Sequence, residues 1–137
     1  MENYKGKHIL IVDDDPTTRR LFGALLSRAG FEVLYAKDGN DGRDMARRLR
    51  PDLILLDLNM PVMDGIETAD RLKRDPDPAT ANIPIALLTS EDLSIEAQKA
   101  ASELGVTDYM QKGLDNEEFI KRIKKILDAA QKPVIIK

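Results

Sequence analysis

The sequence predicts an α/β fold of five βα units, a doubly wound parallel sheet with helices on both faces. Three observations predict it. Short apolar runs alternate with amphipathic stretches from end to end, turn residues fall between them, and the runs are continuous yet too short for helices, as strands covered on both faces must be. A length of 137 residues fits one domain and buries enough surface to fold without disulfides or a structural metal.

The first strand is read at residues 8–13 (HILIVD). After it, Leu21, Phe22, Leu25, Leu26 and Ala29 recur at helical spacing, with Pro16 suited to the first turn and Gly30 to the C-terminal stop. Residues 31–36 form the second strand, and Met45, Ala46 and Leu49 mark a second helix that stops before Pro51. Residues 52–57 (DLILLD) are the third strand; Ile66, Ala69 and Leu72 mark the third helix, followed by a Pro-rich loop over 74–84. Residues 85–89 are the fourth strand, and Ile95, Ala100 and Leu104 mark a fourth helix closed by Gly105. The fifth strand spans 106–110. The fifth helix opens with Asp115 and Glu118 at capping-box spacing and buries Phe119, Ile120, Ile123, Ile126 and Leu127. Residues 1–130 are therefore expected to form the one domain. Residues 131–137 stand outside the pattern, and their apolar 134–136 fits an edge strand, a docking tail or a linker stub equally.

The absence of Cys excludes a disulfide scaffold, a thiolate zinc site and a cysteine nucleophile. With 21 Lys and Arg against 24 Asp and Glu, the net charge of -3 argues against direct nucleic-acid binding. The apolar runs fall far short of the ~20 residues of a membrane span, and the N-terminus carries no signal-peptide pattern. The expectation is a soluble cytoplasmic protein without membrane contact.

Ligands of an open parallel sheet bind beyond the carboxyl ends of the strands, where strand order reverses. Asp13 and Asp14 end the first strand, Asp57 the third and Thr89 the fourth, and Lys112 follows the fifth; in the order 2-1-3-4-5 they converge on one edge. Three carboxylates in one cleft repel and call for positive charge. All-oxygen ligands select a hard cation, best Mg²⁺, and Lys112 supplies a second, mobile charge. Asp57, placed centrally, can then attack phosphorus to give an acyl phosphate facing the metal, Lys112 and the Thr89 hydroxyl.

The blocks ILIVDDDP (9–16), PDLILLDLNMPVMDG (51–65), LLTS (87–90) and DYMQK (108–112) resemble the receiver domain of two-component response regulators, over residues 8 to about 130. The resemblance implies the flavodoxin-like strand order 2-1-3-4-5. It also implies that Asp57 accepts a phosphoryl group from a histidine kinase or histidine phosphotransfer protein. Asp13 and Asp14 would hold Mg²⁺ together with Asp57 and the backbone carbonyl of Asn59. Thr89 and Lys112 would contact the phosphoryl group, and Tyr109 would be the aromatic switch. Such a chain is a signalling protein, not an enzyme acting on other molecules; its own phosphorylation and dephosphorylation are its only catalysis. Output would run through the face of the fourth helix, fifth strand and fifth helix to a downstream protein, a fused output domain or a second copy. Asn59 and Glu91 resemble the pair that tunes phosphoryl lifetime in chemotaxis-type regulators. Gly113 departs from the family, which commonly has Pro there, so the bond after Lys112 is expected to be trans or its loop more mobile.

Plainer readings stand beside these. Asp15 reads as a helix N-cap and His8 as a surface histidine. The run Lys121, Arg122, Lys124, Lys125 reads as the solvated face of the last helix, with Arg19, Arg20, Arg47 and Arg48 read likewise. Residues 38–43 look like a calcium loop but misplace its Gly and lack its final Glu. Two alternative functions remain. Asp13, Asp15 and Thr17 fit the Asp-x-Asp-x-Thr pattern of haloacid-dehalogenase-like phosphatases, although no metal-binding acids follow a later strand. A receiver-like interaction module that takes no phosphate is the other.

Overall fold

The structure, a computed structural model, describes residues 4–58, 65–90 and 94–131. Its strands are β1 (His8–Val12), β2 (Glu32–Ala36), β3 (Leu53–Asp57), β4 (Ile85–Thr89) and β5 (Asp108–Gln111). The helices are α1 (Pro16–Arg28), α2 (Gly39–Leu49), α3 (Gly65–Lys73), α4 (Pro78–Ala81), α5 (Ile95–Glu103) and α6 (Asn116–Gln131). All strands are parallel and lie in the order β2-β1-β3-β4-β5. The reversal between β1 and β3 is the switch point the motifs require.

Successive strand residues face opposite sides of the sheet, and the core divides accordingly. Ile9, Ile11, Leu53, Leu55, Ala86 and Leu88 pack with Phe22 and Leu26 of α1 and Phe119 and Ile123 of α6. Leu10, Val12, Ile54, Leu56, Ile85 and Leu87 pack with Ala46 of α2, Ala69 and Leu72 of α3 and Ala101 of α5. The Phe22 and Phe119 rings stand 5.1 Å apart and join α1 to α6 across the first layer. Burying each such aliphatic side chain is worth about 1.5–3 kcal/mol, so the three central strands anchor the fold.

Several expectations shift. The loop over 74–84 contains the single turn α4, started by Pro78 and capped by the Asp77 carboxylate on the Ala79 N–H. Leu21, Leu49 and Ile95, read as markers of their helices, are 59 %, 47 % and 84 % exposed, because each lies off the stripe that meets the sheet. β2 begins at Glu32, since the Phe31 N–H is spent on Leu26 O at the end of α1. β5 begins at Asp108 and extends to Gln111. Gly30 closes α1 at φ +100°, the left-handed conformation expected of it, and Arg50 takes the same region at the end of α2. Among the described residues every peptide bond is trans, including the one after Lys112.

Candidate functional site

The carboxyl ends of β1, β3, β4 and β5 meet in one place because the strands are parallel and in register: Val12 pairs with Leu56, Asp57 with Leu88, and Thr89 with Gln111. Asp13 leaves β1 fully buried, its N–H bonded to Ala36 O at 3.1 Å. Asp57 ends β3, also buried. Lys112 follows β5, its N–H bonded to Thr89 O at 2.8 Å, and its Nζ reaches 3.2 Å from Asp57 Oδ1 and 3.3 Å from Asp13 Oδ2. Asp13, Asp14 and Asp57 each present a carboxylate oxygen within 4.8 Å of the others. The five positions picked from the sequence are thus brought to one edge of the sheet, with Thr89 buried at the end of β4.

The electrostatics are those of an undersatisfied acidic cleft. Asp13 Oδ1 accepts the Asp15 N–H at 2.9 Å, while the buried Oδ2 accepts no hydrogen bond of good geometry and only faces the Lys112 charge. Burial pushes the Asp13 carboxyl above its ordinary value; the Asp15 N–H opposes this, Asp57 adds repulsion, and Lys112 offsets part of it. Burial alone would depress Lys112, but the Asp57 and Asp13 carboxylates outweigh it and hold the ammonium above its ordinary value. The donor set is all oxygen, as a hard divalent cation requires.

Three further features were not read as site features in the sequence. Gly65 opens α3 with its N–H on Leu58 O at 2.9 Å, and a Cβ there would stand 2.6 Å from Asp57 O. The helix can abut the end of β3 only because the residue is glycine. Arg19, read as solvated, instead donates from Nη1 to Asp13 O at 2.6 Å. Arg47, read the same way, donates to the buried Asp75 carboxylate at 2.6 Å. No motif marks either arginine: Arg19 reaches a carbonyl six residues back, just ahead of its own helix, and Arg47 an acid 28 residues on that becomes its neighbour only in the fold.

Asp15 is the N-cap it was read to be: its carboxylate accepts the Thr17 N–H at 3.1 Å and the Thr18 hydroxyl at 2.6 Å, and these bonds, the hydroxyl foremost, lower its pKa. That engagement disfavours Asp15 as the acid/base of a phosphatase. Tyr109, on the same face of the sheet as Thr89 through its pairing with Leu87, is 40 % exposed. His8 is exposed. In the α6 basic run, Arg122 meets Asp108 and Glu118 and Lys124 lies over the Tyr4 ring, so that face is only partly the solvated one expected. Asn59 and Glu91 lie outside the described residues. No helix among the described residues is long and apolar enough to cross a membrane.

The family model described as the response regulator receiver domain matches residues 9–124. Protein PilH of Pseudomonas aeruginosa is 35 % identical over 119 residues, covering 87 % of this chain and 96 % of PilH. The DNA-binding dual master transcriptional regulator RpaA of Synechocystis is 40 % identical over 119 residues, 87 % of this chain but 48 % of RpaA. The chain thus spans about half the length of RpaA, and about half of the phosphate regulon regulator PhoB of Pseudomonas aeruginosa. Among solved structures, the Vibrio cholerae chemotaxis protein CheY4 superposes with a TM-score of 0.79 at 31 % identity, covering 88 % of this chain and 98 % of that one.

Proposed function

The chain belongs to the response regulator receiver family of two-component signalling, and from that membership we propose that Asp57 accepts a phosphoryl group from the phosphohistidine of a histidine kinase or phosphotransfer protein. The observation that carries the reading is Lys112 Nζ seated between Asp13 and Asp57, beside an Asp13 oxygen that is buried with no hydrogen bond. An Asp57 oxygen attacks phosphorus, the P–N bond breaks, the imidazole leaves, and an acyl phosphate remains.

Mg²⁺ fits this donor set, because three carboxylates converge and one buried Asp13 oxygen accepts no hydrogen bond of good geometry and meets only the Lys112 charge. Asp13, Asp14, Asp57 and the backbone carbonyl of Asn59 would hold it. When bound, it supplies positive charge to the phosphoryl oxygens. Lys112, kept cationic by its two carboxylate neighbours, shifts its contact from them to the phosphoryl group, and Thr89 donates its hydroxyl to the same oxygens.

The added charge of about -1.5 to -2 draws Thr89 inward, and Tyr109 packs into the space it leaves. One charge-assisted hydrogen bond contributes about 1.5–3 kcal/mol, whereas a near-complete switch needs about 5.5, so Thr89 and Lys112 act together. The signal is read on the face of α5, β5 and α6 by a downstream protein, a fused output domain or a second copy of the chain. Asn59 and Glu91 tune the lifetime of the acyl phosphate. Residues 1–130 are the receiver unit, 131–137 a tail or linker, and the cytoplasm the compartment.

Acetyl phosphate with Mg²⁺ is expected to add one phosphoryl group by intact mass, EDTA to prevent it, and Asp57→Asn to abolish it. Modification of Asp57→Asn at the wild-type rate overturns the assignment.

A further inference from the structure

We propose that Arg19 is a positioning residue for the acidic site, holding the peptide between Asp13 and Asp14 so that the exposed Asp14 carboxylate stays within the three-acid cluster. The inference rests on the reading of that cluster as a Mg²⁺ site. Asp13 and Asp57 are buried, and contacts of their own hold their carboxylates: Asp15 N–H on the first and Lys112 Nζ on the second. Asp14 is exposed, and its carboxylate accepts no hydrogen bond and joins no ion pair among the described residues. Its place depends on its backbone.

That backbone is pinned on both sides. Arg19 Nη1 donates to Asp13 O at 2.6 Å, which orients the planar peptide entering Asp14. The Asp15 N–H donates to Asp13 Oδ1 at 2.9 Å, which orients the peptide leaving it. With both planes set, the direction of the Asp14 Cβ follows from chain geometry. The donor stands on a rigid support: the Arg19 N–H bonds Asp15 O at 3.0 Å, and the Asp15 carboxylate caps the same turn on Thr17 and Thr18. A guanidinium this close to a cation site is unfavourable as a charge, since like charges repel. Positioning and charge therefore predict opposite signs when Arg19 is removed.

Isothermal titration of Mg²⁺ into wild type, Arg19→Met, Arg19→Lys, Asp14→Asn and the double variant Arg19→Met with Asp14→Asn reads that sign, with thermal melting to confirm folding. Arg19→Met is expected to weaken Mg²⁺ binding about tenfold, as loss of an outer-shell partner does. Arg19→Lys, which keeps a donor of similar reach, is expected to recover most of the loss. In the Asp14→Asn background, Arg19→Met is expected to cost nothing further, because Arg19 acts through Asp14. Equal or tighter binding by Arg19→Met, or a fully additive loss in the double variant, overturns the proposal while leaving the Mg²⁺ reading intact. No binding by the wild type overturns both. If Arg19→Met does not fold, Arg19→Gln, a good helix former whose amide is too short to reach Asp13 O, takes its place in the same cycle.

Discussion

Asp75 and Asp13 are both buried acids beside a basic side chain, and they sit in opposite electrostatic conditions. Asp75 spends both oxygens, one on the Asp77 N–H at 2.9 Å and the other on Arg47 Nε at 2.6 Å. The Asp77 N–H, against the cost of burial and with help from Arg47 and Arg43, holds its pKa below the ordinary value of 3.8. Asp13 has one oxygen bonded and one without a hydrogen bond, shares Lys112 with Asp57, and has its pKa raised above 3.8. Asp75 is saturated, and its work is to tie the 75–84 loop to α2. Asp13 keeps unused acceptor capacity in a place where two acids already repel, and capacity held at a cost to stability is what a ligand site requires.

The largest test of that contrast is the metal. At a free Mg²⁺ concentration a hundredfold above its Kd, resistance to urea is expected to rise by about 2.7 kcal/mol in the wild type and in Asp75→Asn, and not at all in Asp13→Asn. A gain that persists in Asp13→Asn removes Asp13 from the site.

Without metal, the two acids are expected to respond to neutralisation with opposite signs. Asp75→Ala strips Arg47 and the Asp77 N–H of their acceptor and is expected to lower stability by about 2 kcal/mol, a value held down by the half-exposure of Arg47. Asp13→Asn keeps an oxygen for the Asp15 N–H, removes the repulsion with Asp57, and is expected to raise stability by about 1 kcal/mol. Urea midpoints at unchanged m-value read both changes. Destabilisation by Asp13→Asn contradicts the undersaturated reading.

The smallest effect, and the sharpest in sign, lies in pH dependence. The contribution of Asp75 is present above its unfolded value of 3.8 and is lost as pH falls through its depressed folded pKa. Asp13 binds its proton more tightly folded than unfolded, so metal-free stability declines as pH rises from 3.8 through the raised folded value. The advantage of Asp13→Asn over wild type is therefore expected to grow above pH 3.8 and level off, while the deficit of Asp75→Ala shrinks below it. Chemical denaturation across pH in EDTA checks both windows; an advantage of Asp13→Asn that is flat with pH excludes the linkage.

The strands, their parallel alternation with helices and the acids at the ends of β1 and β3 were legible in the sequence, because each rests on a pattern a few residues long. A continuous apolar run, a proline at a first helical turn, a glycine at a stop and a carboxylate two residues before the amide it caps carry their geometry locally. The tertiary structure alone decided which helix positions the sheet leaves uncovered, hence the exposure of Leu21, Leu49 and Ile95. It also decided where the guanidinium groups go. Arg47 finds Asp75 across 28 residues and Arg19 finds a backbone carbonyl behind it, although in the sequence each looks like any other arginine on a wet helix face. A long flexible cation takes its role from the acceptor within its reach; for Arg19 that acceptor is set by how α1 leaves the end of β1, and for Arg47 by how α2 packs against the 75–84 loop, and the residue type alone encodes neither.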